Sequence, residues 1–153
     1  MIKILFVCLG NICRSPMAEY VFKDLINKKG FKDEFFVDSA ATSSEEIGNG
    51  IHYGTKSKLD SVGIPYDNHK SRKITKEDYD KFDLIIGMEE RNIINIKRII
   101  GKDINQKVFR LLDFSSNPRD IADPWYTGNF DLTYNDIVEG CNYLFNYISC
   151  NIM

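Results

Sequence analysis

A cysteine and an arginine stand six positions apart in the segment Cys8-Leu-Gly-Asn-Ile-Cys-Arg14-Ser15. Gly10 and Asn11 tolerate left-handed backbone angles, so this segment can curl until successive N–H groups point inward as an anion nest. A helix that starts near Ser15 would add its positive end, and the Arg14 guanidinium could hold two oxygens of one anion as a fork. The residue types and their spacing predict a site for a dianionic phosphate above Cys8.

The same positive field favours the thiolate of Cys8 over its thiol, which makes this sulfur a candidate nucleophile. It would displace an alcohol in line and form a cysteinyl phosphate that water later hydrolyses, while Ser15 could donate a hydrogen bond to the thiolate. The departing alcohol needs a proton, and a positioned carboxylic acid gives about 10² to 10⁴ in rate. Asp123, which precedes Pro124 in the polar stretch 113–131, is the candidate acid. The alternative is that Cys8 is only a small buried hydrophobe.

The order of the apolar patterns predicts the elements that hold these residues. Residues 4–8 form a continuous apolar run that is typical of a strand buried on both faces, and a helix follows with Ser15 as its cap and Pro16 in its first position. Further strands are predicted over 35–37, 83–86 and 107–111, and helical patterns over 51–62, 75–81 and 89–100. An apolar stripe over 134–148 predicts a long closing helix.

Strands that alternate with helices along 153 residues predict an α/β fold: one domain over 1–153, with a mostly parallel, doubly wound, twisted sheet and helices on both faces. In such sheets, ligands bind beyond the carboxyl ends of the strands, and Cys8 stands at such an end. The composition, 43% hydrophobic and 27% charged, excludes disordered and fibrous proteins.

Charge and cysteine usage limit the partners and the compartment. Twenty Lys and Arg against 22 Asp and Glu leave a net charge of -2, so neither nucleic acid nor an anionic membrane is expected as a partner. Four cysteines are too few for a disulfide-stapled secreted scaffold, which favours the reducing cytoplasm. No uncharged apolar stretch approaches the length of about 20 residues that a membrane span requires.

These motifs resemble those of the low-molecular-weight protein tyrosine phosphatases, and the resemblance extends over the whole chain. Segment 7–16 looks like the family's signature loop, 38–41 (Asp-Ser-Ala-Ala) like its second block and 123–126 (Asp-Pro-Trp-Tyr) like its acid loop. The resemblance implies that Cys8 is the nucleophile, that Arg14 binds phosphate and that Asp123 is the general acid. The rest of the phosphate-binding loop would be Leu9, Gly10, Asn11, Ile12, Cys13 and Ser15.

The resemblance also implies a fold, a substrate and partners. It implies a four-stranded parallel sheet flanked by helices, with the phosphate-binding loop after the first strand. The substrates would be phosphotyrosine-containing proteins, inorganic phosphate and vanadate would inhibit, and no metal or organic cofactor would be needed. We expect a monomer or a weak dimer.

Supporting roles follow from the same resemblance. Asn11 would hold the loop in shape through hydrogen bonds to Ser15, Ser39 and His69, although His69 could instead be a solvated loop residue. His52 has no such context and is expected to be structural or exposed.

Three residues would form the walls of the cleft. Trp125 and Tyr126 would sandwich a phosphotyrosine ring, unless they only pack within their loop. Glu45 stands where many family members carry an aromatic residue on the opposite rim, so one wall of the cleft is expected to be either missing or acidic, which could favour substrates with a basic flank.

The remaining cysteines divide between the loop and the closing helix. Cys13 could act as a resolving thiol that traps oxidised Cys8 as a disulfide, unless it only packs. Cys141 falls on the apolar stripe of the closing helix and is expected in the core, and Cys150 is expected to be inert.

Other functions stay open as alternatives. Arsenate reductases of similar fold shuttle oxidation through further cysteines, whereas Cys141 and Cys150 lie on or after the closing helix. Protein-arginine phosphatases resemble the chain but carry threonine where Ile12 stands, and Ile12 favours a phenyl ester. A non-catalytic phosphate-binding module or a phosphoryl carrier would leave Asp123 without a role.

Overall fold

Four parallel strands form one sheet in the computed structural model, which describes residues 1–153. The strands are β1 (Ile2–Cys8), β2 (Phe35–Ala41), β3 (Leu84–Gly87) and β4 (Val108–Arg110), in the spatial order β2-β1-β3-β4. The predicted strands are confirmed, but β2 continues four residues beyond 37. Asp38 and Ser39 interrupt its apolar pattern, yet their backbone pairs with β1 and Ser39 is fully buried.

Six helices connect or follow the strands. They are α1 (Arg14–Lys28), α2 (Tyr53–Ser61), α3 (Asp78–Lys81), α4 (Glu90–Ile100), α5 (Pro124–Thr127) and α6 (Phe130–Asn151). The prediction that Ser15 caps α1 and that Pro16 is its first residue is wrong: the helix begins at Arg14, two residues earlier, and Cys13 occupies the cap position without a side-chain hydrogen bond. The polar stretch 113–131 contains α5 and the end of a short 3₁₀ helix at Leu111–Phe114.

The helices cover both faces of the sheet, as predicted. Ile4 and Phe6 of β1 belong to a core shared with α1, α2 and α6, whereas Leu5 and Val7 point to a second core shared with α3 and α4. This alternation follows from the two-residue period of a strand and explains why residues 4–8 of the first strand are all apolar. None of the helices combines the length and the hydropathy that a membrane-spanning segment requires.

The carboxyl ends of β1, β2 and β3 meet at one edge of the sheet. The loop after β1 begins at Cys8, and the segment after β3 leads directly into α4. A Cβ on Gly87 would lie 2.9 Å from Ile93 and 3.0 Å from Asn92, so glycine at the end of β3 lets α4 pack closely. This close packing brings the start of α4, including Glu89, next to the loop that follows β1.

Candidate active site

The loop between β1 and α1, residues 8–15, has its carbonyl groups turned outward. Five of its carbonyl oxygens accept hydrogen bonds of 2.8–3.2 Å: Cys8 O from Thr42 N, Leu9 O from Ser43 N, Gly10 O from the Ser71 hydroxyl, Ile12 O from His52 N and Cys13 O from the Thr55 hydroxyl. All peptide bonds are trans, so each following N–H points away from these partners. The concave side of the loop is therefore lined by N–H groups, as an anion nest requires.

Asn11 supplies the sharp turn of this loop. Its φ is 59°, in the left-handed region that asparagine tolerates better than most residues. Gly10, which was expected to share this role, has a negative φ. A Cβ on Gly10 would lie 3.3 Å from the Glu46 Cγ, so a larger residue there would require the Glu46 side chain to shift slightly.

The Cys8 sulfur lies at the base of the loop, almost completely buried. Its Sγ accepts the N–H of Asn11 at 3.3 Å and that of Ser15 at 3.4 Å, and the Ser15 Oγ lies 3.0 Å away. Two backbone N–H groups and a hydroxyl thus converge on one sulfur. Because α1 also begins at Arg14, its positive end faces the same place, and the arrangement suits a thiolate.

A chain of side-chain hydrogen bonds fixes the Ser15 hydroxyl. The Asn11 Nδ2 can only donate, so it donates to Ser15 Oγ at 2.7 Å and leaves the serine hydrogen free for Cys8. The Asn11 Oδ1 can only accept, so the His69 Nε2 at 2.9 Å carries the proton. A chain of hydrogen bonds runs from His69 through Asn11 and Ser15 to the Cys8 sulfur. His69 is therefore not a solvated loop residue.

Ser39 contacts this chain of hydrogen bonds at His69 and not, as predicted, at Asn11. It makes no direct hydrogen bond to Asn11. Its hydroxyl donates to Glu19 Oε1 at 2.6 Å and lies 3.5 Å from the His69 Nε2. Glu19 also accepts from Lys23 at 2.6 Å, and its Oε1 lies 3.8 Å from His69 Nδ1. The buried Glu19 carboxylate therefore holds the Ser39 hydroxyl beside the histidine.

Glu19, Asp38 and His69 are the one group that could be considered for a metal ion, since one ligand atom of each lies within 4.8 Å of the others. These atoms already have protein partners. Glu19 binds Lys23 and Ser39, Asp38 binds Arg72, and His69 binds Asn11. We therefore interpret these three residues as part of the hydrogen-bond network that stabilises the phosphate loop.

Arg14 is the largest fully buried side chain of the protein. Its Nη1 donates to Glu89 Oε2 at 3.1 Å and to the carbonyl of Ile121 at 2.8 Å, and its Nη2 lies 3.4 Å from Asp123 Oδ2. The two shorter contacts use only Nη1. Nε makes no hydrogen bond within the protein, and Nη2 has a second hydrogen besides the one directed at Asp123, so these two groups remain for an anion to use as a fork.

Asp123 faces the loop from the opposite side. Its Oδ1 accepts from Trp125 N at 3.0 Å and caps α5, which fixes the orientation of the carboxyl group. The same residue lines a cavity of about 140 Å³ together with Cys8 and Arg14. A nucleophile, a cation and a carboxyl group that are far apart in the sequence thus share one small space.

The walls of this cavity are aromatic, aliphatic and acidic. Trp125 and Tyr126 are exposed and form one side, with Ile12 and Leu9 at the loop. Glu45 and Glu46 also line this cavity and make part of its lining acidic. The structure places all three residues predicted for the cleft around the same opening.

Cys13 lies next to the nucleophile and is buried. All four cysteines are free thiols. Burial, and after it the negative charges of Cys8 and Asp123, raise the pKa of the Cys13 thiol to about 12. Cys141 is fully buried in the core on α6, as predicted, and Cys150 is exposed at the end of this helix.

Sequence reasoning missed several residues that hold the site. Glu89 follows β3, so the rule that sites lie at strand ends could have found it. Glu19 lies four residues after Ser15 on α1, on the same helix face. Lys70, Arg72 and Lys73 form a small basic cluster for which the sequence indicates no function. Arg72 from this cluster pairs with Asp38 and Asp78, and its backbone N–H donates to Asn11 Oδ1 at 3.3 Å.

Comparison with known proteins agrees with this geometry. A family model described as low molecular weight phosphotyrosine protein phosphatase matches residues 3–152. The chain is 44% identical over 146 residues to the low molecular weight protein-tyrosine-phosphatase YfkJ of Bacillus subtilis, with 94% of each chain covered. It is 40% identical over 149 residues to the low molecular weight protein-tyrosine-phosphatase PtpA of Staphylococcus epidermidis, covering 97% of this chain and 94% of that one.

Solved structures show the same fold. The crystal structure of YfkJ has a TM-score of 0.96 at 42% identity, covering 100% of this chain and 98% of that chain. The YwlE arginine phosphatase, solved as a mutant with a phosphorylated active site serine, has a TM-score of 0.84 at 29% identity and covers 99% and 98%.

Proposed function

We propose that this chain, which belongs to the low molecular weight phosphotyrosine protein phosphatase family, hydrolyses phosphotyrosine monoesters of proteins through a cysteinyl-phosphate intermediate. The family is a family of hydrolases. One observation carries the proposal: Cys8, Arg14 and Asp123 line one cavity whose floor is a loop of inward-facing N–H groups. We treat residues 1–153 as one catalytic domain.

In the first step, the Cys8 thiolate attacks phosphorus and the bond from phosphorus to the phenolic oxygen breaks. The loop N–H groups and Arg14 hold the three equatorial oxygens, where negative charge is stabilised in the transition state. Asp123, as a carboxylic acid, gives its proton to the departing phenolate. The products of this step are a free phenol, a cysteinyl phosphate and an Asp123 carboxylate.

In the second step, the Asp123 carboxylate takes a proton from water, and the resulting oxygen nucleophile attacks phosphorus. The sulfur–phosphorus bond breaks, inorganic phosphate is released and the Cys8 thiolate returns. The Ser15 hydroxyl, 3.0 Å from Sγ, stabilises the sulfur when it leaves. Its orientation is fixed by Asn11, so this donor needs no rearrangement during the reaction.

The cavity favours an aryl phosphate over other monoesters. Trp125 and Tyr126 offer aromatic faces, and Ile12 offers a hydrocarbon surface beside the phosphate loop. The similarity to an arginine phosphatase raises phosphoarginine as a second substrate, but a guanidine group would gain no polar partner from Ile12. Arsenate reduction through a cysteine relay is disfavoured, because Cys141 is buried in the core and Cys150 lies at the end of α6.

The same mechanism suggests inhibitors and a compartment. Inorganic phosphate and vanadate would occupy the loop as the substrate phosphate does. Since Cys8 must stay reduced to act, we assign the protein to the cytoplasm, where thiols are kept reduced.

Hydrolysis of p-nitrophenyl phosphate in the presence of EDTA tests the proposal. We expect turnover in the wild type and none in Cys8→Ser, and we expect rapid acid quenching of the wild type to trap phosphate on the peptide that contains Cys8. The exposed Cys150→Ser is the matched control and should keep full activity. Unchanged turnover in Cys8→Ser would rule out the mechanism.

A further inference from the structure

His52 lies between the phosphate loop and the aromatic side of the cleft. Its backbone N–H donates to the carbonyl of Ile12 at 2.9 Å, so it is tied to the loop by an atom that any non-proline residue provides. Thr55, three residues later, donates to the carbonyl of Cys13 at 3.2 Å. The start of α2 is therefore attached to the loop through backbone and hydroxyl groups, independently of the imidazole.

The imidazole ring itself faces the segment that carries the acid. It packs edge-on against Trp125, with ring centroids 5.5 Å apart at 73°, and it stacks on Phe130 at 5.5 Å and 15°. Phe130 is the first residue of α6, and its ring covers Gly54 so closely that a Cβ there would lie 2.3 Å from it. The segment 123–130 therefore packs against the start of α2 through Trp125 and Phe130.

The backbone and the ring of His52 have separate tasks in this arrangement. The backbone fixes Ile12, which lines the cleft from the phosphate loop, and the ring contacts Trp125, which lines it from α5. One residue therefore spans the distance between two walls of the cleft. The ring also has a local task, because its Nδ1 accepts the N–H of Gly54 at 3.0 Å and caps α2.

We propose that His52 is a positioning residue whose ring holds Trp125 at a fixed distance from Ile12 and so sets the width of the cleft that receives the leaving group. The inference rests on the proposed phosphatase function for its kinetic consequence, but the placement of Trp125 does not depend on turnover. An aromatic edge contact of this kind contributes about two- to tenfold to an equilibrium. Loss of the ring should weaken the recognition of the aryl group and leave the recognition of phosphate intact.

Two substitutions separate the ring from the helix cap. His52→Asn keeps a side-chain acceptor for Gly54 N, since asparagine is among the best N-cap residues, but removes the aromatic face. His52→Phe keeps the aromatic face and removes the acceptor. If the ring positions Trp125, the asparagine variant is the impaired one. If His52 acts only as a cap, the phenylalanine variant is the impaired one.

Trp125 is the single tryptophan of the chain, so the tryptophan fluorescence of the protein reports on the surroundings of this residue. In His52→Asn we expect greater quenching of the emission by acrylamide and a KM for p-nitrophenyl phosphate raised about three- to tenfold. The inhibition constant of inorganic phosphate should change by less than about twofold, because the backbone of His52 and not its ring is bonded to the phosphate loop. In His52→Phe we expect wild-type quenching and KM with a lowered melting temperature.

Tyr53→Ala is the control, because Tyr53 also stacks on the imidazole, at 4.5 Å, but does not line the cleft. It should leave quenching and KM unchanged. The proposal is overturned if His52→Asn leaves Trp125 quenching as in the wild type, or if His52→Phe or Tyr53→Ala raises quenching as much. If neither the wild type nor any variant hydrolyses the ester, the proposed function is wrong. The fluorescence comparison still tests the role of His52 in that case.

Discussion

The carboxylate of Glu89 lies 3.1 Å from the Nη1 of Arg14, on the side of the guanidinium that also contacts the carbonyl of Ile121. Because Arg14 is buried, these two acceptors fix the plane of its guanidinium before any anion enters the loop. Glu89 itself is about a quarter exposed. Arg14, the residue proposed to bind phosphate, is therefore oriented by Glu89, which follows β3, whereas the phosphate loop follows β1.

Replacing Glu89 should weaken this orientation. We expect Glu89→Ala to lower kcat/KM for p-nitrophenyl phosphate about tenfold, the effect of losing one charge-assisted hydrogen bond, and Glu89→Gln to lose less because its amide oxygen still accepts. Glu90→Ala is the control, since Glu90 is exposed, carries the same charge and does not contact Arg14. Equal losses in Glu89→Ala and Glu90→Ala would indicate a general charge effect.

The sequence was sufficient for the parts of the site that are local. Cys8, Arg14 and the turn at Asn11 belong to one short loop, so their spacing alone predicts the anion nest. The apolar periods likewise predict four strands, the major helices and the two covered faces of the sheet. Asp123 was identified by its proline and by the resemblance, since nothing in its spacing to Cys8 indicates contact.

The residues that were missed act across long distances in the chain. Glu89 meets Arg14 over 75 positions, and its role depends on how closely α4 packs at Gly87. Glu19 looks like any charged residue of a surface helix, and only its burial shows that it holds Ser39. His52 belongs to no sequence motif. It contacts Ile12 and Trp125, which lie in two other parts of the fold.

Asp123→Ala should remove the proton donor and leave the nucleophile in place. We expect kcat for phenyl phosphate to fall by about 10² or more, with a smaller loss for p-nitrophenyl phosphate, whose phenolate leaves more easily without a proton. Steady-state rates with both esters measure the difference. Asp120→Asn, in the same segment but paired with Arg110, should keep most of the activity. An equal loss for both esters would point to a different role for Asp123.

The Cys8–Cys13 pair should respond to oxidation, with a defined dependence on pH. Peroxide would convert the Cys8 thiolate to a sulfenic acid, and attack by the Cys13 thiolate would release the oxygen as water and close a disulfide. Peptide mapping after mild peroxide should find this bond, dithiothreitol should restore activity, and Cys13→Ser should lose activity irreversibly. Cys150→Ser should recover like the wild type.

The sign of the pH effect follows from the raised pKa of Cys13. A pKa of about 12 means that the thiol is protonated at neutral pH, so the attacking thiolate becomes about tenfold more abundant with each pH unit. Oxidation of Cys8 removes one negative charge that contributes to this shift, but burial, the largest cause, remains. The rate of disulfide closure after a peroxide pulse should therefore rise from pH 7 to pH 9. A rate that is constant over this range would contradict the assignment of Cys13 as the attacking thiol.

The acidic rim should select among phosphotyrosine peptides by charge. Glu45 is exposed and Glu46 bonds only the Asn49 amide, at 2.6 Å, so neither carboxylate is paired with a cation. The cation of the cavity, Arg14, is buried behind the phosphate site. A lysine or arginine beside the phosphotyrosine would therefore meet uncompensated negative charge, and a glutamate there would be repelled.

A pair of peptides that differ only in this flanking residue measures the effect. We expect kcat/KM to favour the lysine peptide over the glutamate peptide by about two- to fivefold at low salt, as for an exposed ion pair, and the ratio to approach one at high salt. Glu45→Gln should reduce the ratio, whereas Glu34→Gln, exposed near the amino end of β2 and away from the cleft, should not. If both peptides react equally at low salt, the rim does not select by charge, and substrate choice rests on Ile12 and the aromatic side of the cleft.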